Sequence, residues 1–404
     1  MTFSVCDSMI DLTLRRLSGL PTDVPPNLMT FISDVCRNLS GYRLAKLLHK
    51  IHIPKFAFFG IESEIRDSMK LCKLNIPGPF RFEAGESLEG MEIVFHCSGH
   101  ERREGEKVIW ICHALTANSD PEDWWPQMVG SGKLIDTDRY FVVCVNMLCS
   151  PYGSAGPASR DASGKPYLMS FPKTTVRDMV NANILVRKYL GIGKIDLLVG
   201  PSIGGFQAYE WAVMEPAVIE KAVFLATEAK CSAYLTAYNE AQRMALRADS
   251  SFMEATSLEG GRKGLECARA IAMLSYRTYD GYVRTQTEAD PDALFADRAA
   301  SYQRYQGKKL ADRFDAYSYW YLTYALDSHN VGRGRGGEAE ALSRVRARCL
   351  VLNIDSDCLF PPESGRRLAA LLPDAEYVQI SSAFGHDGFL IEYDALSDIL
   401  KNWI

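Results

Sequence analysis

From residue 78 onward, short unbroken apolar runs alternate with stretches whose apolar residues recur at helical spacing. The runs 92–97, 108–112, 140–145, 195–199, 222–225, 349–354 and 377–380 are the strand candidates. Most lack polar alternation, as expected of parallel strands covered on both faces. Between two of them, 175–190 carries Val176, Met179, Val180, Ile184 and Val186 on one helical face, and Thr175 with Asp178 forms a capping box at its start. Repeated strand–helix alternation predicts a mostly parallel sheet with helices on both sides.

Two regions break this rhythm. Between about 226 and 345 the strand pattern stops, and 253–257, 264–277, 297–306 and 310–325 read as amphipathic helices. The sheet needs residues on both sides of this excursion. It therefore reads as a helical lid, 226–345, inserted into one core made of 78–225 and 346–404. The segment Gly332-Arg333-Gly334-Arg335-Gly336-Gly337 is too short for an RNA-binding tail and reads as a flexible turn leaving the lid. Residues 1–77 form a helical N-terminal extension, with helices expected at 12–17 and 31–53 between Pro21, Pro25, Pro26 and Pro54. Leu44, Leu47, Leu48 and Ile51 recur at helical spacing among Arg43, Lys46 and Lys50. That pattern suits a helix docked on its own protein with a solvated basic face, or a basic amphipathic helix for a membrane surface or partner.

Composition narrows the class. A hydrophobic share of 47% and a charged share of 24% over 404 residues are ordinary for a globular protein, and a formal charge of -5 argues against a general nucleic-acid binder. The eleven cysteines are scattered without a C-x-x-C pair, and Cys112, Cys144 and Cys349 lie inside apolar runs. Buried free thiols in a reducing compartment, the cytoplasm, are expected. The N-terminus lacks a signal-peptide layout, and no run is long and apolar enough to span a bilayer. No P-loop, dinucleotide fingerprint or zinc spacing is present, and Gly191-Ile192-Gly193 reads as a tight turn. No metal or resident cofactor is expected.

The chemistry gathers around Gly200-Pro201-Ser202-Ile203-Gly204, which follows the run 195–199 and opens a helix at 206–213. G-x-S-x-G between strand and helix is the form of a nucleophile elbow: the serine stands on a strained turn, and the flanking glycines avoid backbone collisions. A serine hydroxyl needs a base to take its proton. In an α/β-hydrolase fold the acid and then the histidine follow the serine along the chain. The only histidine after residue 330 is His386, just beyond the last strand candidate. Asp355 and Asp357 both end the strand 349–354; Asp357, followed by Leu359-Phe360-Pro361-Pro362, is the better placed acid, and Asp355 a turn residue. Oxyanion donors are expected at the N–H of Ile203 and, after the strand 108–112, of Leu115. His113, on that strand exit with no acidic or cysteine partner at ligand spacing, reads as structural.

Residues 78–404 resemble the homoserine O-acetyltransferases. The resemblance rests on His113-Ala114-Leu115-Thr116, Gly153-Ser154-Ala155-Gly156-Pro157, the elbow with Phe206-Gln207-Ala208-Tyr209-Glu210-Trp211, and Ser301-Tyr302 through Gln306-Gly307. Arg313-Phe314-Asp315-Ala316, Ser328-His329-Asn330-Val331-Gly332-Arg333-Gly334 and Gly385-His386-Asp387-Gly388-Phe389-Leu390 complete it. It implies an acyl-enzyme, ping-pong transfer from acetyl-CoA to L-homoserine in methionine biosynthesis, and a homodimer. It also implies that Arg269 holds the substrate carboxylate and Asp387 its ammonium, with Tyr276 lining the same pocket. Alone, Arg269 would read as a solvated helix residue and Asp387 as a turn residue. The sequence departs from the family pattern at Pro201 and Ile203, in the loop Leu148-Cys149-Ser150-Pro151-Tyr152, and in residues 1–77, which have no counterpart. Homoserine O-succinyltransferase, serine O-acetyltransferase, simple esterase and catalytically silent scaffold are the competing readings.

Overall fold

The computed structural model describes residues 68–404. The helices expected at 12–17 and 31–53 lie outside the described residues. Eight strands form the main sheet: β1 (Met69–Ile76), β2 (Met91–Ser98), β3 (Val108–Ile111), β4 (Phe141–Val145), β5 (Leu197–Pro201), β6 (Lys221–Leu225), β7 (Arg348–Ile354) and β8 (Ala375–Ile380). Their order is β1-β2-β4-β3-β5-β6-β7-β8. The pairs β1/β2 and β2/β4 are antiparallel and the rest parallel.

β1 corrects the expected boundary at residue 77. Met69–Ile76 pairs with β2 along its whole length, from Met69 opposite Ser98 to Ile76 opposite Met91. It belongs to the sheet and not to a helical extension. From Leu71 on its burial alternates, with Cys72, Leu74 and Ile76 packed against the core and Leu71, Lys73 and Asn75 exposed, as in an edge strand facing the core on one side only.

The central strands β3, β4 and β5 are buried at every position. Helix α1 (Val176–Tyr189) covers one face and starts with the expected box: Thr175 caps the Asp178 N–H, and the Asp178 carboxylate accepts the Thr175 N–H at 2.8 Å. Helix α2 (Ile203–Met214) leaves the end of β5 and is apolar nearly all round, because it runs between the sheet and its neighbours. Trp211 meets Trp110 of β3 edge to face at 5.1 Å, and Tyr209 stacks on Phe224 of β6 at 3.6 Å. These aromatic contacts fix α2 on the sheet, and with it the turn at its start.

Between β6 and β7 the described chain is helical. The insertion comprises α3 (Ala233–Arg247), α4 (Arg262–Tyr276), α5 (Tyr279–Gln286), α6 (Arg298–Ala311) and α7 (Ala316–Asp327), with a short turn of helix at Ser250–Glu254. Its two ends close in a neck. Lys230 bridges Asn330, the Cys231 N–H donates to His329 O at 2.9 Å, and the Val331 N–H donates to Ala229 O at 3.0 Å. The inserted part is thus narrower than 226–345.

The glycine–arginine segment lies below that neck and is a tied turn, not a loose one. Glu210 of α2, almost wholly buried, pairs with Arg335 at 2.5 Å and Arg177 at 2.8 Å. Glu83 pairs with Arg177 at 2.8 Å and Arg333 at 2.7 Å. Helices α8 (Pro362–Leu371) and α9 (Tyr393–Leu400) complete the core after β7 and β8.

Candidate active site

Ser202 sits at φ 57°, ψ −126°, a left-handed backbone that a residue with a Cβ enters only under constraint. The constraint is visible on both sides. A Cβ on Gly200 would lie 2.3 Å from Gly204 O, and one on Gly204 would lie 2.0 Å from Cys112 O. These two glycines let β5 turn into α2 while the first turn of α2 presses on the exit of β3. The Ser202 N–H donates to Leu225 O at 3.0 Å, and Thr227 Oγ1 donates to Ser202 O at 2.7 Å, holding the turn from β6.

Pro201 costs the sheet little. Successive residues of a strand donate to opposite neighbours. Ser202 donates towards β6, so residue 201 would donate towards β3. The β3 exit makes its contact one step earlier, Cys112 N–H to Val199 O at 2.8 Å.

The three side chains converge. His386 Nε2 lies 3.0 Å from Ser202 Oγ, and His386 Nδ1 lies 2.7 Å from Asp357 Oδ2. The other Asp357 oxygen accepts the N–H groups of Leu359 at 2.8 Å and Phe360 at 3.1 Å, so the run after the acid fixes it. Asp357 and His386 are both 3% exposed. Asp355 is exposed and accepts the Ser382 N–H at 3.1 Å, bracing the loop that follows β8. Phe360, Phe389 and Tyr276 surround the imidazole with ring centres at 5.1, 5.3 and 5.7 Å.

Ile203 is the first residue of α2, where N–H groups have no acceptor within the helix, and Leu115 follows the β3 exit. Leu115 and Ser202 line one cleft of about 350 Å³, open at its mouth, with Leu235, Tyr238, Asn239, Gln242 and Tyr276 of the insertion among its walls. An oxygen bound beside Ser202 would meet the positive end of α2.

His113 is structural. It is fully buried, its Nε2 accepts the Met147 N–H at 3.1 Å and its Nδ1 lies 2.9 Å from Ala114 O. Burial lowers its pKa to about 4, so it stays neutral.

The insertion supplies the other side. Arg269 on α4 is half-buried, its guanidinium 5.3 Å from the centre of the Tyr276 ring. Burial raises the Tyr276 pKa; the charge of Arg269 opposes that shift and the charge of Asp387 adds to it. Asp387 is not an open carboxylate here. Arg277 Nε lies 2.6 Å from its Oδ2.

Sequence reasoning passed over three contributors. Thr227 and Arg277 carry no motif. Helix α3 hides because its inward positions, Leu235, Asn239, Gln242, Arg243 and Leu246, are largely polar. Their helical spacing was present but their hydrophobicity was not. Arg313, quoted only for resemblance, donates to Thr116 O at 2.5 Å and also meets the Tyr152 hydroxyl, bracing the residue after Leu115.

With this geometry in view, the comparisons are specific. A family profile described as alpha/beta hydrolase fold matches residues 107–393. A homoserine O-acetyltransferase from Cyclobacterium marinum is 43% identical over 322 residues, covering 80% of this chain and 91% of its own. The chain belongs to the homoserine O-acetyltransferase family. A second relative of that name, from Nostoc punctiforme, is 38% identical over 338 residues, covering 80% of this chain and 93% of its own. The crystal structure of homoserine O-acetyltransferase from Bacillus anthracis superposes with a TM-score of 0.77 at 25% identity, over 84% of this chain and 98% of that one. The profile's span, 107–393, takes in the elbow, the insertion and the histidine loop alike.

Proposed function

We propose that this enzyme transfers an acetyl group from acetyl-CoA to the hydroxyl of L-homoserine through an acetyl-serine intermediate, a step of methionine biosynthesis. The observation that carries the reading is the hydrogen-bonded chain Asp357–His386–Ser202 opening into a cleft whose far wall bears Tyr276 and, beside it, Arg269.

Asp357 accepts from Nδ1, which leaves Nε2 free to take the Ser202 proton as Oγ attacks the thioester carbonyl. The Leu115 and Ile203 N–H groups receive the oxyanion. His386 then protonates the departing thiolate, and coenzyme A leaves. In the second half His386 takes the proton of the homoserine hydroxyl, whose oxygen attacks the acetyl-serine and restores Ser202. Arg269 binds the acceptor carboxylate through its planar fork, Asp387 takes the ammonium, and Tyr276 shapes the wall between them. The insertion keeps water from the acetyl-serine, which would otherwise be lost to hydrolysis. Acetyl-CoA is the co-substrate, and no resident cofactor or metal takes part.

A homodimer is the proposed assembly. Support comes from large apolar side chains exposed on the insertion, among them Met253, Leu274 and Val283. The cytoplasm is the proposed compartment, since every cysteine among the described residues is a free thiol. No helix among the described residues is long and apolar enough to cross a membrane. The test is mass spectrometry after mixing with acetyl-CoA. One acetyl group on Ser202, discharged by L-homoserine far faster than by water, is expected. An adduct that water removes equally fast with or without homoserine would make the protein an esterase.

A further inference from the structure

We propose that Arg277 is a place-holding cation on Asp387, which the ammonium group of the acceptor must displace, making Arg277 a determinant of acceptor specificity. The inference rests on the reading of Asp387 as the ammonium site given above.

Three observations carry it. First, the contact is close but poorly directed. Arg277 Nε approaches Asp387 Oδ2 to 2.6 Å, yet this nitrogen is buried with no acceptor along its N–H direction. The structural pairs below the neck differ: Arg177 Nε makes an aligned hydrogen bond to Glu210 Oε1 at 2.8 Å. A charge contact without a directed hydrogen bond yields more readily to a cation that can supply one.

Second, the segment does not need this contact to stay docked. The junction between α4 and α5 is fixed to the acid and histidine loops by other bonds. Cys358 Sγ donates to Ser275 O at 3.3 Å, and Thr278 Oγ1 donates to Ala383 O. The Arg277 guanidinium also lies 5.5 Å from the centre of the Phe384 ring, a surface on which it can rest after leaving Asp387.

Third, the pair adjoins the cleft along the chain, Arg277 following Ser275 and Tyr276 of its lining. Arg277 and Asp387 are 25% and 14% exposed in their side chains, and Asp387 adjoins His386 in the chain. An ammonium arriving beside the reacting hydroxyl arrives where Arg277 rests. Before it binds, Arg277 keeps the carboxylate neutralised and so removes any reason for another small cation to enter. An alcohol without an amine gains nothing from Asp387 and leaves Arg277 in place. The discrimination is therefore made by exchange of one cation for another.

The test compares L-homoserine with 4-hydroxybutanoate, the same hydroxy acid without its amine, in the wild type and Arg277→Met. A partly exposed ion pair is worth up to about 1 kcal/mol, so removing the competitor is expected to lower KM for homoserine about 3- to 5-fold. KM for 4-hydroxybutanoate is expected to be unchanged or higher. A homoserine KM that rises in Arg277→Met would show that Arg277 orients Asp387 instead, and an unchanged one that the pair is idle; either overturns the proposal. Since Arg277→Met could fold poorly, the second measurement uses Ser202→Ala crystals soaked with L-homoserine. The ammonium within hydrogen-bond distance of Asp387, and Arg277 moved off it, are expected. An intact Arg277–Asp387 contact beside bound homoserine overturns the idea. Failure of the functional reading looks different: acetyl-serine forms in the wild type and homoserine does not discharge it.

Discussion

Around Ser202 the chain is held by its own backbone; around Arg269 it is held by side chains. At the elbow, Gly200 and Gly204 meet carbonyls of Gly204 and Cys112 with no room for a Cβ, and strand β6 fixes Ser202 from the other side. In the insertion, the cleft wall is tied by Tyr319 donating to Gln242 at 2.5 Å, by Arg269 over Tyr276 and by Arg277 on Asp387. Backbone contacts cannot adjust without unfolding the turn, whereas side-chain contacts can exchange partners. The division suits two-step transfer. The attack on the carbonyl is the same for each acyl group and profits from rigidity, and the insertion has to admit coenzyme A's acyl group and then a different molecule.

Breaking the first region should have the largest effect. Ser202→Ala is expected to lower acetyl transfer by at least about 10⁴-fold while leaving the fold intact, because no other group can form the acyl intermediate. Stopped-flow release of coenzyme A with thermal unfolding alongside checks both halves. Gly204→Ala is expected to be as damaging for a different reason. A methyl 2.0 Å from Cys112 O must push α2 off β3. The stability cost is expected to be about 3 kcal/mol, with the Leu115 and Ile203 donors pulled apart, read from urea denaturation and from the acylation rate. A Gly204→Ala protein of wild-type stability and rate would show that the turn is looser than its contacts imply.

The second region should respond differently. Arg269→Gln is expected to leave acetylation of Ser202 untouched and raise KM for homoserine by about 10- to 100-fold, the loss of a charged hydrogen-bond pair. Arg269→Lys should recover only part of this, since one ammonium cannot grip both carboxylate oxygens. Separate measurement of the two half-reactions decides. If acylation falls as much as transfer, Arg269 is supporting the cleft and not the acceptor.

The same contrast explains what could be read before the fold was known. The seven main-sheet strands after residue 78 were legible because continuous apolar runs have few other uses, and the capping box at Thr175 because it depends on two nearby residues. The elbow was legible because its glycines answer a steric demand local to the turn. β1 was not. An edge strand buries one face, so Met69–Ile76, with Leu71, Lys73 and Asn75 outward, has half the hydrophobic signal of a central strand. Helix α3 escaped for a related reason, its inward face being lined by Asn239, Gln242 and Arg243. The glycine–arginine turn was misjudged as flexible because its partners, Glu83 and Glu210, lie more than a hundred residues away. Whatever depends on distant pairing, or on polar groups facing a cleft, leaves little trace in local periodicity. Arg277 on Asp387 is the sharpest case.

Mild acid separates the two regions with the smallest effect per residue of the set. The inserted helices, from Ala233 to Asp327, contain no histidine, whereas His113 is buried in the core, His329 in the neck, and His96 of β2 is half-buried. Burial lowers the pKa of His96 and His113 to about 4 and that of His329 to about 3. Unfolded, each imidazole takes a proton near pH 6.5; folded, each takes it only two or more units lower. Between those values the unfolded chain binds more protons, so stability starts to fall as pH approaches 6.5 from above, falls steadily below it, and is flat only well above it. At one unit below 6.5 the loss is about 1.4 kcal/mol for each histidine. Denaturant titrations at pH 7.5, 6.5 and 5.5 should show a small loss over the first step, about 0.3 kcal/mol for each histidine, and a larger one, about 1 kcal/mol for each, over the second. Hydrogen exchange should place the lost protection in the sheet and the neck, with local opening of α4 and α5 unaltered. If α4 and α5 opened first instead, the side-chain-held region would prove the weaker of the two in acid.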